Sequence, residues 1–398
     1  GFITPWVPFA ERRNINMMRP MKLAGSQLLF GEGCLEHLKS LKIKKASIVI
    51  GGKSVAKSGI LDKVENYLTE AGAKIQLIEG VEPDPSFATV WRGAKEMQTF
   101  EPDLIVALGG GSTMDAAKTM WVYYEHPELN TLEALLPPNE FPKLREKALF
   151  CCIPSTAGTA SEVSRSVVIS DTDTGIKHGI GNMEMMPDIA ICDPEVTRSM
   201  PPRITAETGM DALTHALEAL VSNRANYIAN VLASQAALDI IENLPKAYRN
   251  SDDIKARENM LNASMAAGLA FTNVSLGIVH SMAHTLGSCF HVPHGLCNAV
   301  LLPYIIRFNE KDKRAADIYV AFADKAGSDN LAVLVQRLNN ELNIPSALKE
   351  IIPDGEKYMS ILGEMAEMAK ADGCTKTNPI IPGIEELKEL FIKAYKGE

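Results

Sequence analysis

Short apolar runs alternate with amphipathic stretches along the first half of the chain. Residues 46–50, 74–78, 104–108 and 149–153 have the length and composition of strands, and the helical spacing of apolar positions over 61–71 and 89–99 predicts helices. Strands that alternate with helices through short connections are typical of a parallel sheet covered on both faces. This half of the chain is therefore predicted to be an α/β domain with a mostly parallel sheet.

The second half has a different pattern. From about Thr205 onward, after Pro201 and Pro202, long segments rich in Ala, Leu and Met repeat with helical spacing, and strand-like runs become scarce. A chain of 398 residues also exceeds the size at which one hydrophobic core usually keeps growing. We predict an N-terminal extension at residues 1–20, the α/β domain at residues 21–200 and an all-α domain at residues 201–398.

Composition and charge exclude some partners. The chain carries 49 acidic and 40 basic residues, for a formal net charge of −9, and no run of Lys and Arg would follow a phosphate backbone, so nucleic acid is not expected as a partner. The 7 cysteines form no C-x-x-C pair and are expected to be reduced thiols in a cytoplasmic protein. The apolar residues 2–10 are interrupted by Pro5 and Pro8 and lack a basic leader, which argues against a signal peptide or a membrane span.

Two polar loops follow neighbouring predicted strands. Gly109, Gly110, Gly111 and Ser112 precede a helix predicted to begin near Met114. Glycine lets backbone N–H groups approach a pyrophosphate at a helix N-terminus, but an ordinary strand-to-helix turn has the same composition, and the spacing differs from G-x-G-x-x-G. The second loop, residues 154–162, has small hydroxyl side chains that suit a cofactor site or a helix cap equally. Together the two loops favour a shared ligand.

Histidines are concentrated in the second half. Asp211 and His215 are four residues apart, as are His280 and His284, so each pair lies on one face of a predicted helix, whereas His294 lies in a loop-like segment. A single buried histidine is usually an ordinary core residue, but two such pairs in an apolar domain need polar partners. A divalent metal supplies one, because three imidazoles and a carboxylate suit Fe²⁺ or Zn²⁺. The sequence does not choose between these ions.

Several motifs together resemble the motif series of the iron-containing (group III) alcohol dehydrogenases, in the same order and at the same separations, from about residue 21 to the C-terminus. They are residues 109–118, 155–163, 211–215, 280–284 and 293–295. Within that family, residues 120–128, 291–296 and 372–379 are similar to the alcohol dehydrogenase half of bifunctional aldehyde–alcohol dehydrogenases. The chain is too short to hold the aldehyde dehydrogenase half, so the aldehyde–alcohol step alone is expected.

The resemblance implies roles for individual residues. The metal ligands would be Asp211, His215, His280 and His294, and His284 beside them would carry a proton between substrate and water. The cofactor pyrophosphate would lie on Gly109, Gly110, Gly111 and Ser112, with the rest of the cofactor cleft lined by Asp115, Thr156, Thr159 and Lys177. The substrate pocket would be formed by Ser166, Phe271, Leu276 and Cys374. A solvated loop residue is an equal alternative for Lys177, and core packing is an equal alternative for Phe271 and Leu276.

The implied function is that of a metal-dependent alcohol dehydrogenase or aldehyde reductase. It would interconvert small primary alcohols and aldehydes with NAD(P)(H), as a homodimer or higher homo-oligomer. A polyol (glycerol-type) dehydrogenase or a dehydroquinate-synthase-like enzyme is the alternative, although such substrates would want more charged groups than the mostly apolar pocket offers. A non-catalytic metal-binding protein is a further alternative, against which the complete set of ligands and cofactor loops argues.

The segment after the first predicted strand bears on the choice of cofactor. Family members that use NAD often place an Asp there, which binds the adenosine ribose and repels a 2′-phosphate. Here Gly51 and Gly52 precede Lys53 and Ser54, so no carboxylate is present. Gly52 leaves room for the phosphate, Ser54 donates a hydrogen bond, and Lys53 or Lys57 supplies charge. We therefore expect NADP(H) rather than NAD(H), the alternative being a plain turn with solvated lysines.

Overall fold

The computed structural model describes residues 20–172 and 176–398. The extension expected at residues 1–20 lies outside the described residues, apart from Pro20. The strands are β1 (Gln27–Phe30), β2 (Lys45–Ile50), β3 (Lys74–Ile78), β4 (Leu104–Gly109), β5 (Leu149–Pro154), β6 (Ser166–Asp171), β7 (Ile176–Gly181) and β8 (Ile189–Cys192). The helices that accompany them are α1 (Ser54–Lys57), α2 (Ile60–Glu70), α3 (Phe87–Phe100), α4 (Gly111–Glu125) and α5 (Pro194–Thr197).

The remainder of the chain is helical. Its helices are α6 (Pro202–Val221), α7 (Tyr227–Arg249), α8 (Ile254–Val274), α9 (Ile278–Phe290), α10 (His294–Asn309), α11 (Lys313–Lys325), α12 (Leu331–Glu341), α13 (Gly355–Ser360), α14 (Leu362–Ala371) and α15 (Ile384–Lys396). Short 3-10 turns occur at Cys34–Ser40, Glu133–Leu135, Ser161–Val163, Met183–Met185, Leu348–Glu350 and Gly373–Thr377. Within the described ranges, no single helix is long and apolar enough to cross a membrane, although α8 and α9 pass that test as a pair bent by 99°.

One parallel sheet organises the first half. Six strands pair in the order β1-β8-β5-β4-β2-β3, and β6 and β7 form a separate antiparallel hairpin. Every residue of the central strand β4 is buried, as expected for a strand covered by helices on both faces. The predicted fold class, a mostly parallel α/β sheet followed by helices, is confirmed.

Strands β2, β3, β4 and β5 agree with the predicted ones to within one residue at each end. The pattern of apolar positions does not predict β1, β8 or the β6–β7 hairpin. β1 and β8 have only 4 residues each, which is too short for a periodic pattern to stand out. They form strands because each finds an edge to pair with in the assembled sheet.

Two predicted helix boundaries are wrong. Helix α4 begins at Gly111, three residues before Met114, so the glycine turn includes the first turn of the helix. Glycine has a low helix propensity, but here a Cβ on Gly111 would lie 2.7 Å from Thr159 Cγ2, so only glycine fits the close packing. His294 lies not in a loop but at the first position of α10, directly after Pro293, whose fixed φ suits a helix start.

The helical half shares one hydrophobic core with the loop that follows β5. Ala157, Ala160 and Val163 of that loop belong to the same buried cluster as the apolar faces of α6, α8 and α9. A Cβ on Gly158 would lie 2.7 Å from Thr208 Cβ, so the loop backbone touches α6 directly. This contact brings the carboxyl edge of the sheet against the helices that carry the histidines.

Candidate metal centre and cofactor cleft

Helix α6 presents two of the expected ligands on one face. Asp211 and His215 lie one helical turn apart and are 2% and 5% exposed, respectively. Pro202 at the first turn sets the start of the helix, and the residues from Gly209 to Val221 are all buried. Two polar side chains held side by side in an apolar helix need partners from other elements.

Helices α9 and α10 supply those partners. The Nε2 atoms of His280 and His294 each lie 3.5 Å from Asp211 Oδ1, and His215 Nε2 lies 3.7 Å from the same oxygen. Three imidazole nitrogens from three helices thus converge on one carboxylate. The structure brings together all four side chains that the resemblance assigns to the metal.

Electrostatics prepare this cluster for a cation. Burial raises the pKa of Asp211, but the surrounding imidazoles outweigh that effect and hold this pKa well below its usual range. Burial lowers the pKa of His215 to about 4 and that of His294 to about 3, so both rings are neutral near pH 7. Burial also acts to lower the pKa of His280, but Glu218 and Asp211 raise it to about 9, so this ring holds a second proton near pH 7 that a metal ion would displace. Ionised carboxylate and neutral imidazole are the forms that bind a metal.

Hydrogen bonds to the other ring nitrogens set the orientation of two ligands. His215 Nδ1 lies 3.2 Å from Gly158 O, and His280 Nδ1 lies 2.6 Å from Glu218 Oε2. A carbonyl or carboxylate oxygen only accepts, so each Nδ1 carries a proton, and in the neutral form that binds a metal each ring has its lone pair on Nε2, on the side of Asp211. The donor set is therefore one carboxylate oxygen and imidazole Nε2 lone pairs, which fits Fe²⁺ or Zn²⁺.

Three residues around the centre are absent from the predicted set. Glu218 bonds His280, and Asn298 Nδ2 lies 2.7 Å from Asp211 Oδ1 and 3.1 Å from His294 Nε2. Glu218 lies seven residues after Asp211 on α6, and Asn298 lies four residues after His294 on α10, so helical spacing could have found both. Asp372 has no such signal, because only the fold brings it to His284.

His284 lies beside the centre without joining the ligand cluster. Its ring stacks on that of His294 with centroids 5.2 Å apart, and its Nδ1 lies 2.9 Å from Asp372 Oδ2. Burial raises the pKa of Asp372, but the bond to His284 outweighs it and holds this pKa below its usual range. Asp372 thus accepts from Nδ1–H, which leaves His284 Nε2 for another partner.

The expected pocket residues are distributed unequally around the centre. The Phe271 ring stacks on His215 with centroids 4.4 Å apart. Cys374 donates its backbone N–H to Asp372 Oδ1 at 2.7 Å, and Leu276 is buried in the turn between α8 and α9. Ser166 begins β6 with an exposed side chain, so its position at the pocket stays a prediction.

The two polar loops lie against each other at the carboxyl edge of β4 and β5. Ser155 N–H donates to Gly109 O at 2.9 Å, and a Cβ on Gly110 would lie 3.3 Å from Thr156 Cγ2. The Thr156 hydroxyl is buried without a hydrogen-bond partner among the described residues. The neighbouring Ser112 lies in the first turn of α4, so its backbone N–H is one of those left without a helical acceptor. These donors and this hydroxyl form a cradle of the kind that holds a pyrophosphate.

The other expected cofactor residues have protein partners of their own. Asp115 accepts from Ser161 Oγ at 3.0 Å and from Val168 N–H at 2.9 Å, and burial raises its pKa to about 6. Lys177 Nζ forms an ion pair with Asp84 Oδ2 at 2.8 Å. Their contact with cofactor stays a prediction.

A parallel sheet with glycine-rich turns, facing helices that gather three imidazoles and a carboxylate, has the architecture of a metal-dependent, dinucleotide-linked oxidoreductase. Comparison with known proteins supports the same class of enzyme. Residues 25–194 match the family described as "Iron-containing alcohol dehydrogenase", and residues 205–395 match "Fe-containing alcohol dehydrogenase family, C-terminal". The chain therefore belongs to the iron-containing alcohol dehydrogenase family, which confirms the resemblance, the enzyme class and the expected iron and nicotinamide cofactors at the level of the family.

Individual relatives cover nearly the whole chain. An NADPH-dependent butanol dehydrogenase of Clostridium saccharobutylicum is 46% identical over 377 residues, covering 93% of this chain and 96% of the relative. Aldehyde-alcohol dehydrogenase 2 of Entamoeba histolytica is 37% identical and covers 93% of this chain, which spans 46% of that longer protein. An iron-containing alcohol dehydrogenase structure from Thermococcus thioreducens superposes with a TM-score of 0.88 at 36% identity, covering 94% of this chain and 99% of the other.

Proposed function

We propose that the chain interconverts small, linear primary alcohols and their aldehydes, using a divalent metal held by Asp211, His215, His280 and His294. The observation that supports this proposal is the convergence of three Nε2 atoms on Asp211 Oδ1 beside the Phe271 ring. The similar proteins include a butanol dehydrogenase, a 1-propanol dehydrogenase and a 1,3-propanediol oxidoreductase.

The chain's own residues hold and shape the reacting centre. Iron bound there would supply Lewis-acid polarisation of the substrate oxygen, and the nicotinamide would accept or supply the hydride. Gly158 O and Glu218 keep two imidazoles turned inward. The Phe271 ring, stacked on His215, gives the centre an apolar neighbour, and we propose that it lines a narrow pocket that excludes water. A narrow pocket with an apolar lining favours a substrate with a short alkyl chain.

His284 is the residue proposed to move the proton. Asp372 fixes its Nδ1–H, so Nε2 is the nitrogen that takes a proton from the substrate hydroxyl or returns it. His284 is 38% exposed at its side chain, so the same ring also reaches water. A half-exposed imidazole next to a buried centre is suited to pass a proton between the two.

We propose that the cofactor lies across the two polar loops with its adenosine end near Gly52, and that NADP(H) is preferred over NAD(H). The C. saccharobutylicum relative is named as NADPH-dependent. Gly52 and Ser54 are exposed beyond the end of β2, and a Cβ on Gly52 would meet no atom within 4 Å. Open space next to Lys53 and Lys57 suits a 2′-phosphate.

Turnover of a substrate panel tests the substrate assignment. The metal-loaded chain is assayed with ethanol through butanol, with the matching aldehydes, and with glycerol and a sugar phosphate, and the metal-stripped chain is the control. We expect the linear alcohols and aldehydes to have the highest kcat/KM. Faster turnover of glycerol or the sugar phosphate would support a polyol-type or dehydroquinate-synthase-like enzyme instead.

We further propose a cytoplasmic homo-oligomer, at least a dimer. All 7 cysteines are free thiols, in keeping with a reducing compartment. Large apolar side chains are exposed on several elements, among them Phe30 at 58%, Tyr227 at 61% and Val320 at 65%. Light scattering coupled to size exclusion tests the assembly: a mass of 43.3 kDa would mean a monomer and contradict the proposal.

A further inference from the structure

The Glu218 carboxylate lies directly behind the metal cluster. It follows Asp211 by seven residues and His215 by three, so all three side chains share one face of α6. Glu218 is 4% exposed, and its Oε2 lies 2.6 Å from His280 Nδ1. Within residues 20–172 and 176–398, no lysine or arginine bonds this carboxylate, and its partners are donors on α9.

The same carboxylate seats the first turn of α9. Val279 N–H donates to Glu218 Oε1 at 2.7 Å, and Ile278 N–H donates to Asn378 Oδ1 at 3.2 Å. The chain passes so close that a Cβ on Gly277 would lie 2.8 Å from Glu218 Oε1 and 2.6 Å from Asn378 Oδ1. Glu218 therefore sets both the position of the helix that carries His280 and the direction of its ring.

We propose that Glu218 is a positioning residue that sets the affinity of the site for a divalent ion, by holding His280 in the Nδ1–H form with Nε2 towards Asp211. The inference rests on the proposed metal-binding function. A carboxylate bonded to the distal nitrogen of a ligating histidine fixes the tautomer and makes the ring a stronger donor. With Asp211, it also places two negative charges in a buried site, which matches the charge of a divalent ion.

Glu218→Gln is the informative change because it keeps the size and removes the charge. An amide has one oxygen for two donors, so its NH₂ group would face His280 Nδ1 and favour the opposite tautomer, with the proton on Nε2. We expect the Kd for Co²⁺ or Zn²⁺ to rise about 10- to 100-fold. The measurement is competition with a chelating dye, starting from metal-stripped protein, and the visible spectrum of the Co²⁺ form should change as well.

Two further variants separate positioning from general destabilisation. Glu207 lies on the same helix, one turn before Asp211, and forms an ion pair with Arg203 without bonding a histidine. The metal Kd of Glu207→Gln should therefore equal that of the unmodified chain. Gly277→Ala places a Cβ 2.8 Å from Glu218 Oε1, so it should displace this side chain and weaken metal binding while keeping the carboxylate. It also carries the test if Glu218→Gln fails to fold.

A wild-type metal Kd in Glu218→Gln, with only a lower unfolding temperature of the metal-stripped protein, would mean a structural role and overturn the inference. Failure of the unmodified chain to bind Fe²⁺, Co²⁺ or Zn²⁺ would instead overturn the proposed function, and this inference with it. Weaker binding in Glu218→Gln and Gly277→Ala, with Glu207→Gln unchanged, is the result that the positioning role predicts.

Discussion

Replacing Gly52 with Asp should shift the proposed preference for NADPH toward NADH. Gly52 is exposed, and nothing lies within 4 Å of the Cβ it lacks, so the new side chain fits without moving the backbone. The neighbouring Gly51 differs, because a Cβ there would lie 2.8 Å from Thr113 Oγ1 and 3.1 Å from Val81 O. The effect of Gly52→Asp should therefore come from its charge.

The magnitude follows from the exposure of the site. Two unit charges 4 Å apart near a protein surface interact by about 4 kcal/mol, and solvent and salt at an exposed residue reduce this to about 2 kcal/mol. That repulsion should lower kcat/KM for NADPH about 30-fold. A charge-assisted hydrogen bond from a ribose hydroxyl contributes about 1.5 kcal/mol, so kcat/KM for NADH should rise about 10-fold.

Steady-state kinetics with both cofactors, at one saturating aldehyde concentration, measure the two changes separately. Gly52→Asn is the matched control, since it adds nearly the same volume without charge and should leave the preference for NADPH in place. Gly51→Asp should lower kcat/KM for both cofactors together because it disturbs packing. A higher kcat/KM for NADH in the unmodified chain, or equal losses for both cofactors in Gly52→Asp, would refute the reasoning.

Three other changes test the centre. His280→Ala and His294→Ala should each lose the metal and behave like the metal-stripped chain with the fold intact, as measured by metal analysis and circular dichroism. A variant that retained its metal and turned over normally would remove that residue from the ligand set. His284→Ala should keep its metal but lose about 100-fold or more in kcat and show a flatter pH profile, because it removes only the proton carrier. A variant that simply lost its metal would make His284 a ligand. Gly111→Ala should raise KM for the cofactor more than KM for the aldehyde, because its Cβ would lie 2.7 Å from Thr159 Cγ2 and push the two polar loops apart. Equal increases in the two KM values would contradict the proposed cleft.

Local patterns account for the parts of the structure that the sequence predicts. Residues 104–108 are predicted as a strand because an uninterrupted apolar run of this length suits a strand that is buried on both faces of a sheet. Asp211 and His215 share a helix face because a spacing of four residues requires it. The same spacing argument places Glu218, seven residues after Asp211, on that face, although its role depends on contacts with helix α9.

The tertiary structure decides which faces meet. His280 and His284 have the same spacing as Asp211 and His215, yet only His280 points its Nε2 at Asp211, while His284 turns to Asp372, 88 residues further along the chain. Short strands such as β1 form because a neighbouring strand offers an edge. The sequence by itself determines the four predicted strands, the helical character of the second half and the chemistry carried on each face, because these depend on neighbours within a few residues. Which donors share one buried point is decided by packing between distant segments, because a periodic pattern specifies a face but not its partner.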